Sequence, residues 1–185
     1  TLSLLMMGAQ PAPQECNNCH SVDVVQFDKS VHASLTCAGC HPTITRLPHA
    51  DKVPKVDCRG CHADVVKAYG ASVHGQARKN GMADSATCAS CHGPVHGILK
   101  SGDPASKVAK RNLPDTCGSC HSNPDFLKRH KIPFAKPVEA YRQSVHGREV
   151  AKGNSAAASC SDCHGAHDIQ SGKDGRSKTL HGHIS

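Results

Sequence analysis

The chain has no tryptophan, and its 185 residues include only three phenylalanines and two tyrosines. A domain of this length ordinarily holds its shape by burying large apolar side chains. With 3% aromatic residues, 16 glycines and 11 prolines, side chains alone struggle to offset the entropy of ordering the backbone. Something other than side chains is expected to fill the interior. No apolar run approaches the roughly twenty residues of a transmembrane helix. The length suits one domain or two small ones.

What the chain does have is cysteine, in one pattern. The twelve cysteines form six Cys-x-x-Cys pairs, and a histidine follows each pair directly. The units are Cys16-Asn-Asn-Cys19-His20, Cys37-Ala-Gly-Cys40-His41, Cys58-Arg-Gly-Cys61-His62, Cys88-Ala-Ser-Cys91-His92, Cys117-Gly-Ser-Cys120-His121 and Cys160-Ser-Asp-Cys163-His164. Cys-x-x-Cys-His is the attachment sequence of c-type haem: two thiols add to the porphyrin vinyl groups and the adjacent histidine reaches the iron as proximal ligand. A single Cys-x-x-Cys is equally compatible with a zinc knuckle, a redox dithiol or a disulfide. Six units with no cysteine left over, each closed by histidine, favour six haem c groups. About 31 residues of chain then serve each haem, too few to insulate it in its own pocket. The macrocycles are expected to stack as the core. The predicted fold is mostly irregular, with short α-helices at the motifs and little or no β-sheet, since apolar alternation never persists between the glycines and prolines.

Nine histidines remain outside the motifs: His32, His49, His74, His96, His130, His146, His167, His181 and His183. A second axial histidine on every iron requires six. Internal repetition selects most of them. Tyr69-Gly-Ala-Ser-Val-His74-Gly recurs as Tyr141-Arg-Gln-Ser-Val-His146-Gly and, shorter, as Phe27-Asp-Lys-Ser-Val-His32. In the two long copies a Cys-x-x-Cys-His-Gly unit follows, and then a further histidine, His96 in one and His167 in the other. The distal candidates are therefore His32, His74 and His146, with His96 and His167, and His49 after Pro48 as the sixth. His130, in the basic stretch Lys128-Arg-His-Lys131, reads as solvated. Met6, Met7 and Met82 do not recur in the repeats and are not expected as axial ligands.

These motifs resemble multihaem c-type cytochromes of metal- and sulfate-reducing bacteria. The resemblance covers roughly residues 15 to 180. It rests on Tyr-x-x-Ser-Val-His-Gly, on Cys-x-x-Cys-His-Gly with its trailing histidine, and on Asn112-Leu-Pro-Asp-Thr-Cys117. It implies covalent haems, bis-histidine ligation with distal roles for His32, His74, His146, His96 and His167, and service in anaerobic or extracellular respiratory electron transfer. The repeat also predicts a further haem motif where the second copy instead reaches His183-Ile-Ser185; either the array ends early or the chain is a shortened form. His181 and His183 are spare, and either could ligate a haem of a neighbouring chain.

Residues 1–14 read as an apolar, proline-bearing tail, the remnant of a secretory signal or an anchor. Residues 15–185 read as one hexahaem domain with submodules at about 15–65, 66–125 and 126–185. Haem attachment in bacteria occurs on the export side, so a periplasmic or cell-surface location is expected. The polypeptide carries a formal charge of +7, but two propionates on each haem bring the oxidised holoprotein close to neutral. Without aromatic platforms, nucleic acid is not an expected partner.

Three functions fit this inventory. The first is electron transfer along six closely packed, low-potential, bis-histidine haems, passing electrons between donor and acceptor proteins; this is not enzymatic catalysis. The second is the same chemistry within a larger assembly, as a conductive filament or as the cytochrome subunit of a membrane quinone oxidoreductase. The third, an oxyanion reductase, needs an iron with an open distal position, and histidine supply argues against it.

Overall fold

The computed structural model describes residues 16–133, 136–180 and 182. The readings of residues 1–14, Met6, Met7, His181 and His183 fall outside the described residues. Ten short α-helices and two 3-10 turns lie wholly within them, and no strand is found among the described residues. In chain order the helices are α1 (Val24–Asp28), α2 (Cys37–Cys40), α3 (Ala63–Ala71), α4 (Val73–Lys79), α5 (Cys88–His92), α6 (Leu113–His121), α7 (Pro124–Arg129), α8 (Pro137–Gln143), α9 (Val145–Ala151) and α10 (Cys160–His164). The 3-10 turns are Cys58–Gly60 and Val95–Gly97. The mostly irregular, short-helix fold expected from composition is the fold observed.

The motif helices are short for local reasons. A polar residue stands immediately before the first cysteine and closes the turn. Thr36 accepts from the Gly39 N–H at 3.1 Å, Asp57 from Arg59 at 2.9 Å, and Thr87 from Ser90 at 3.3 Å. Before Cys160 the bond is reversed, the Ser159 N–H donating to Asp162 at 2.7 Å. Each arrangement satisfies amide or carboxylate groups that a helix start leaves open. At the other end, Gly93 and Gly165 follow the motif histidine with φ of +91° and +83°, a conformation that favours glycine and stops the helix after one turn.

Two helix pairs break at serine. Ser72 separates α3 from α4, and Ser144 separates α8 from α9. Each serine hydroxyl donates to the preceding tyrosine carbonyl (2.7 and 2.6 Å) and accepts from the glycine N–H three residues on (3.2 and 3.1 Å). A Cβ on Gly75 or Gly147 would collide with the carbonyl of Tyr69 or Tyr141, so the recurring glycine lets the second helix cross close to the end of the first. The tyrosine hydroxyls then reach 17 residues along the chain, Tyr69 to the Ala86 carbonyl at 2.8 Å and Tyr141 to Ala158 at 3.0 Å. Tyr-x-x-Ser-Val-His-Gly is therefore an anchor, a cap, a histidine and a close crossing.

The side-chain core is small. Among the described residues, the buried hydrophobic ones are Ala38, Ala109, Leu127, Val138 and Val150. Ten larger apolar residues, including Val25 and Val145, remain exposed.

Candidate haem-binding sites

The six motifs place their cysteines one helical turn apart, on one face, with the histidine at the end of that turn. All twelve cysteines are free of disulfides. Among the described residues, no three His, Cys, Asp or Glu side chains converge as a site for a bare metal ion.

Histidine rings are instead brought together in twos. His20 faces His49 with ring centroids 5.7 Å apart, His32 faces His62 at 6.1 Å, and His41 faces His96 at 6.4 Å. His74 faces His121 at 6.2 Å, and His92 faces His167 at 5.9 Å. Aromatic rings stack at similar separations for other reasons, so distance alone does not decide the matter. The membership does: every pair joins one motif histidine to one histidine outside the motifs. Two metal–nitrogen bonds of about 2.0–2.1 Å, plus half a ring on each side, put bis-imidazole centroids about 6 Å apart. The residues fit an iron held between two imidazoles.

The His20–His49 pair shows how such a ring is aimed. The His49 Nδ1 lies 2.7 Å from the Ala50 carbonyl, which can only accept, so Nδ1 carries the proton. Its Nε2 then faces the Nε2 of His20, 3.4 Å away. A backbone carbonyl fixing the far nitrogen is the usual second contact of a metal-binding histidine. Three other rings are held neutral by burial, which lowers the pKa of His74, His92 and His121. The facing or adjacent histidine lowers it further: His121 for His74, His167 then His62 for His92, and His164 for His121. A neutral imidazole has the lone pair that a metal requires.

The pairs cross between repeats. His32 and His74, each from a Ser-Val-His segment, skip the next motif and face the one after. His49, His96 and His167 each follow a motif closely but face the histidine of an earlier one. Backbone hydrogen bonds set this register: the Val31 N–H donates to the Ile98 carbonyl and the Val73 N–H to Ile169, both at 2.8 Å. Each valine precedes a Ser-Val-His histidine, and each isoleucine lies two residues beyond a crossing histidine. Phe27, at the tyrosine position of the short copy, meets His96 edge-on at 6.4 Å.

Motif cysteines also meet across motifs. Burial and the neighbouring Cys88 raise the pKa of Cys58. The Cys117 and Cys160 thiols share a hydrogen bond, which holds Cys117 protonated and lowers Cys160 to about 7. Cys91 is raised by burial and lies close enough to Cys88 and Cys120 for their charges to raise it further. The third to sixth motifs therefore run edge to edge.

Six of the expected distal positions divide five to one: His32, His49, His74, His96 and His167 each face a motif histidine, whereas His146 and the motif histidine His164 are both exposed and share no ring contact among the described residues. His130 differs from the solvated reading. Its side chain is only 12% exposed, packed against Phe126 at 4.5 Å and bonded to Asp84 at 3.0 Å beside Arg129. The basic stretch gave no sign of this, because Asp84 lies 46 residues away. Nor did the repeats announce Lys110, whose ammonium binds the Ser155 and Ala157 carbonyls at 2.9 Å and the Asp162 carboxylate at 3.1 Å.

Residues 45–122 match the sequence family described as cytochrome c7 and related cytochrome c. No curated protein and no solved structure matches the chain. The family match suggests electron transfer by c-type haems, with redox proteins as partners. No helix among the described residues is long and apolar enough to cross a membrane.

Proposed function

We propose that the chain is an electron-transfer protein carrying six haem c groups, one on each Cys-x-x-Cys-His unit, and that it passes electrons along them between redox partner proteins. The observation that carries this reading is the five pairings of a motif histidine with a histidine from elsewhere in the chain. When bound, each haem supplies a one-electron iron couple. The cysteines fix each macrocycle to its turn. His20, His41, His62, His92 and His121, with their partners His49, His96, His32, His167 and His74, would hold five of the irons between two imidazoles, an arrangement that suits electron transfer rather than substrate binding at those five. Histidine on both sides, rather than methionine, favours low potentials. The edge-to-edge order of the third to sixth motifs supports a continuous relay.

An exported, periplasmic or cell-surface setting in anaerobic respiration fits this reading. The one-domain division into submodules at about 15–65, 66–125 and 126–185 fits it as well, because the crossed pairs tie the submodules into one unit.

Haem quantification and the electron paramagnetic resonance spectrum of His74→Ala test the proposal. Six haems per chain are expected, with one iron turned high-spin in the variant. A haem count below six, or an unchanged spectrum, would contradict it.

A further inference from the structure

The two long repeat copies secure the loop before their haem motif in different ways. In the first copy the loop is held by its own segment. The Arg78 guanidinium donates to the Ala83 and Ser85 carbonyls at 3.0 and 3.4 Å, and the Ser85 hydroxyl donates to the His74 carbonyl at 2.8 Å. The second copy has Val150 where the first has Arg78, and Ala157 where it has Ser85. Neither side chain can make those bonds. The equivalent carbonyls, of Ser155 and Ala157, are taken instead by the Lys110 ammonium, both at 2.9 Å. Lys110 comes from 45 and 47 residues away, just ahead of the fifth motif.

A third difference serves the same lysine. Asp162 stands inside the sixth motif where the fourth has Ser90. The Ser90 hydroxyl stays within its own turn, accepting from the Thr87 N–H at 3.0 Å. Asp162 makes the equivalent bond with the Ser159 N–H at 2.7 Å and also reaches the Lys110 ammonium at 3.1 Å. The hydroxyl of Ser159, a buried residue, donates to the Lys110 carbonyl at 3.1 Å. Lys110 is itself tied to the fifth motif. The Leu113 N–H at the start of α6 donates to the carbonyl of buried Ala109 at 3.1 Å, and the Thr116 hydroxyl, next to Cys117, donates to the Lys107 carbonyl at 2.6 Å. Segment 107–110 therefore moves with Cys117-Gly-Ser-Cys120-His121, while its lysine grips the entry to Cys160-Ser-Asp-Cys163-His164. The first cysteines of these two motifs meet thiol to thiol.

We infer that Lys110 is a positioning residue for the electron step between the fifth and sixth haems, fixing the sixth motif against the fifth at the edge where Cys117 and Cys160 meet. A half-exposed ion pair alone would contribute little. Lys110 adds a hold on two carbonyls as well as the carboxylate, the kind of outer support that sets the geometry of a functional centre. The inference rests on the haem reading above.

The test uses the haem-loaded protein, with haem quantification, amide hydrogen exchange read by mass spectrometry and a potentiometric titration of the haems. Lys110→Met keeps a long stem and deletes the ammonium. It should retain six haems, lose exchange protection across residues 155–163, and shift the midpoint potentials of two haems while the other four stay. Lys110→Arg should restore both readouts, because Arg78 shows that a guanidinium can hold the same pair of carbonyls. Ser159→Ala changes no charge and removes one bond of the contact; it should move the same two potentials by a smaller shift, which separates position from lost charge. Unchanged protection in Lys110→Met would overturn the inference, as would lost protection with all six potentials unmoved. So would a Lys110→Arg protein that behaves like Lys110→Met, or a Ser159→Ala protein with the parent's potentials. A parent protein with fewer than six haems would overturn the haem reading itself, and the inference with it.

Discussion

Asp174 illustrates how single residues secure the loops between motifs. Its carboxylate accepts from the Arg176 backbone N–H at 2.9 Å and from the Arg176 guanidinium at 3.0 and 2.8 Å. Those bonds hold its pKa down at about 2. A carboxylate depressed in the folded state contributes stability above its unfolded pKa of about 3.9, and that contribution disappears as pH falls through the folded value. Asp174→Asn is therefore expected to lower stability at neutral pH and to converge with the parent between about pH 4 and pH 2. The pair is exposed, so the gap should be small and should narrow with added salt. Denaturant midpoints measured across that pH range check this. A stronger residue-scale effect belongs to Gly75 and Gly147. Alanine at either forces two helices apart at a tyrosine carbonyl, at a cost of about 1–3 kcal/mol, readable as a lower thermal midpoint. At this scale much was legible. The glycine, serine and tyrosine of the repeat were visible as a pattern, and the motif cysteines and histidines by name. The bond from Asp84 to His130 was not, because the two residues meet only after the chain has folded.

At the scale of elements, the one-turn motif helices follow from a polar residue before the first cysteine and a glycine after the histidine. Their existence was readable in the sequence. The pairing of histidines was not. His96 lies four residues after His92 in sequence yet faces His41, because the bond between Val31 and Ile98 brings an earlier segment alongside it. Nothing local in the sequence encodes which segment lies alongside. The ring planes carry a further expectation. In the His20–His49 and His92–His167 pairs the planes are 3° and 11° apart, whereas the other three pairs cross at 45°, 59° and 68°. Parallel imidazoles interact unequally with the two π-type d orbitals of a low-spin iron and split them, and crossed imidazoles leave those two orbitals closer in energy. The oxidised protein should therefore show two groups of low-spin signals, a rhombic group from the first two pairs and a strongly anisotropic group from the other three. His49→Ala should remove intensity from the first group, and His74→Ala from the second. Loss from the same group in both variants would contradict the pairing.

For the molecule as a whole, the five small or medium-sized apolar residues buried among the described residues are a meagre core. The scarcity of aromatic residues implies as much, and the exposed valines and leucines of the described residues agree. The haems would supply the buried surface, and because the second histidine of each pair meets its iron only in the folded arrangement, that ligation would contribute to folding. Chain produced without haem attachment is expected to be unfolded, with weak helical circular dichroism and no cooperative thermal transition. A cooperatively folded apoprotein would mean that the side-chain core suffices.

On the proposed ligation, histidines cap irons across repeats rather than beside their own motif. An experimental structure of the haem-loaded protein tests it most directly. His96 is expected on the iron bound through Cys37, Cys40 and His41, and His167 on the iron bound through Cys88, Cys91 and His92. His96 on the iron of His92, or His167 on that of His164, would contradict it.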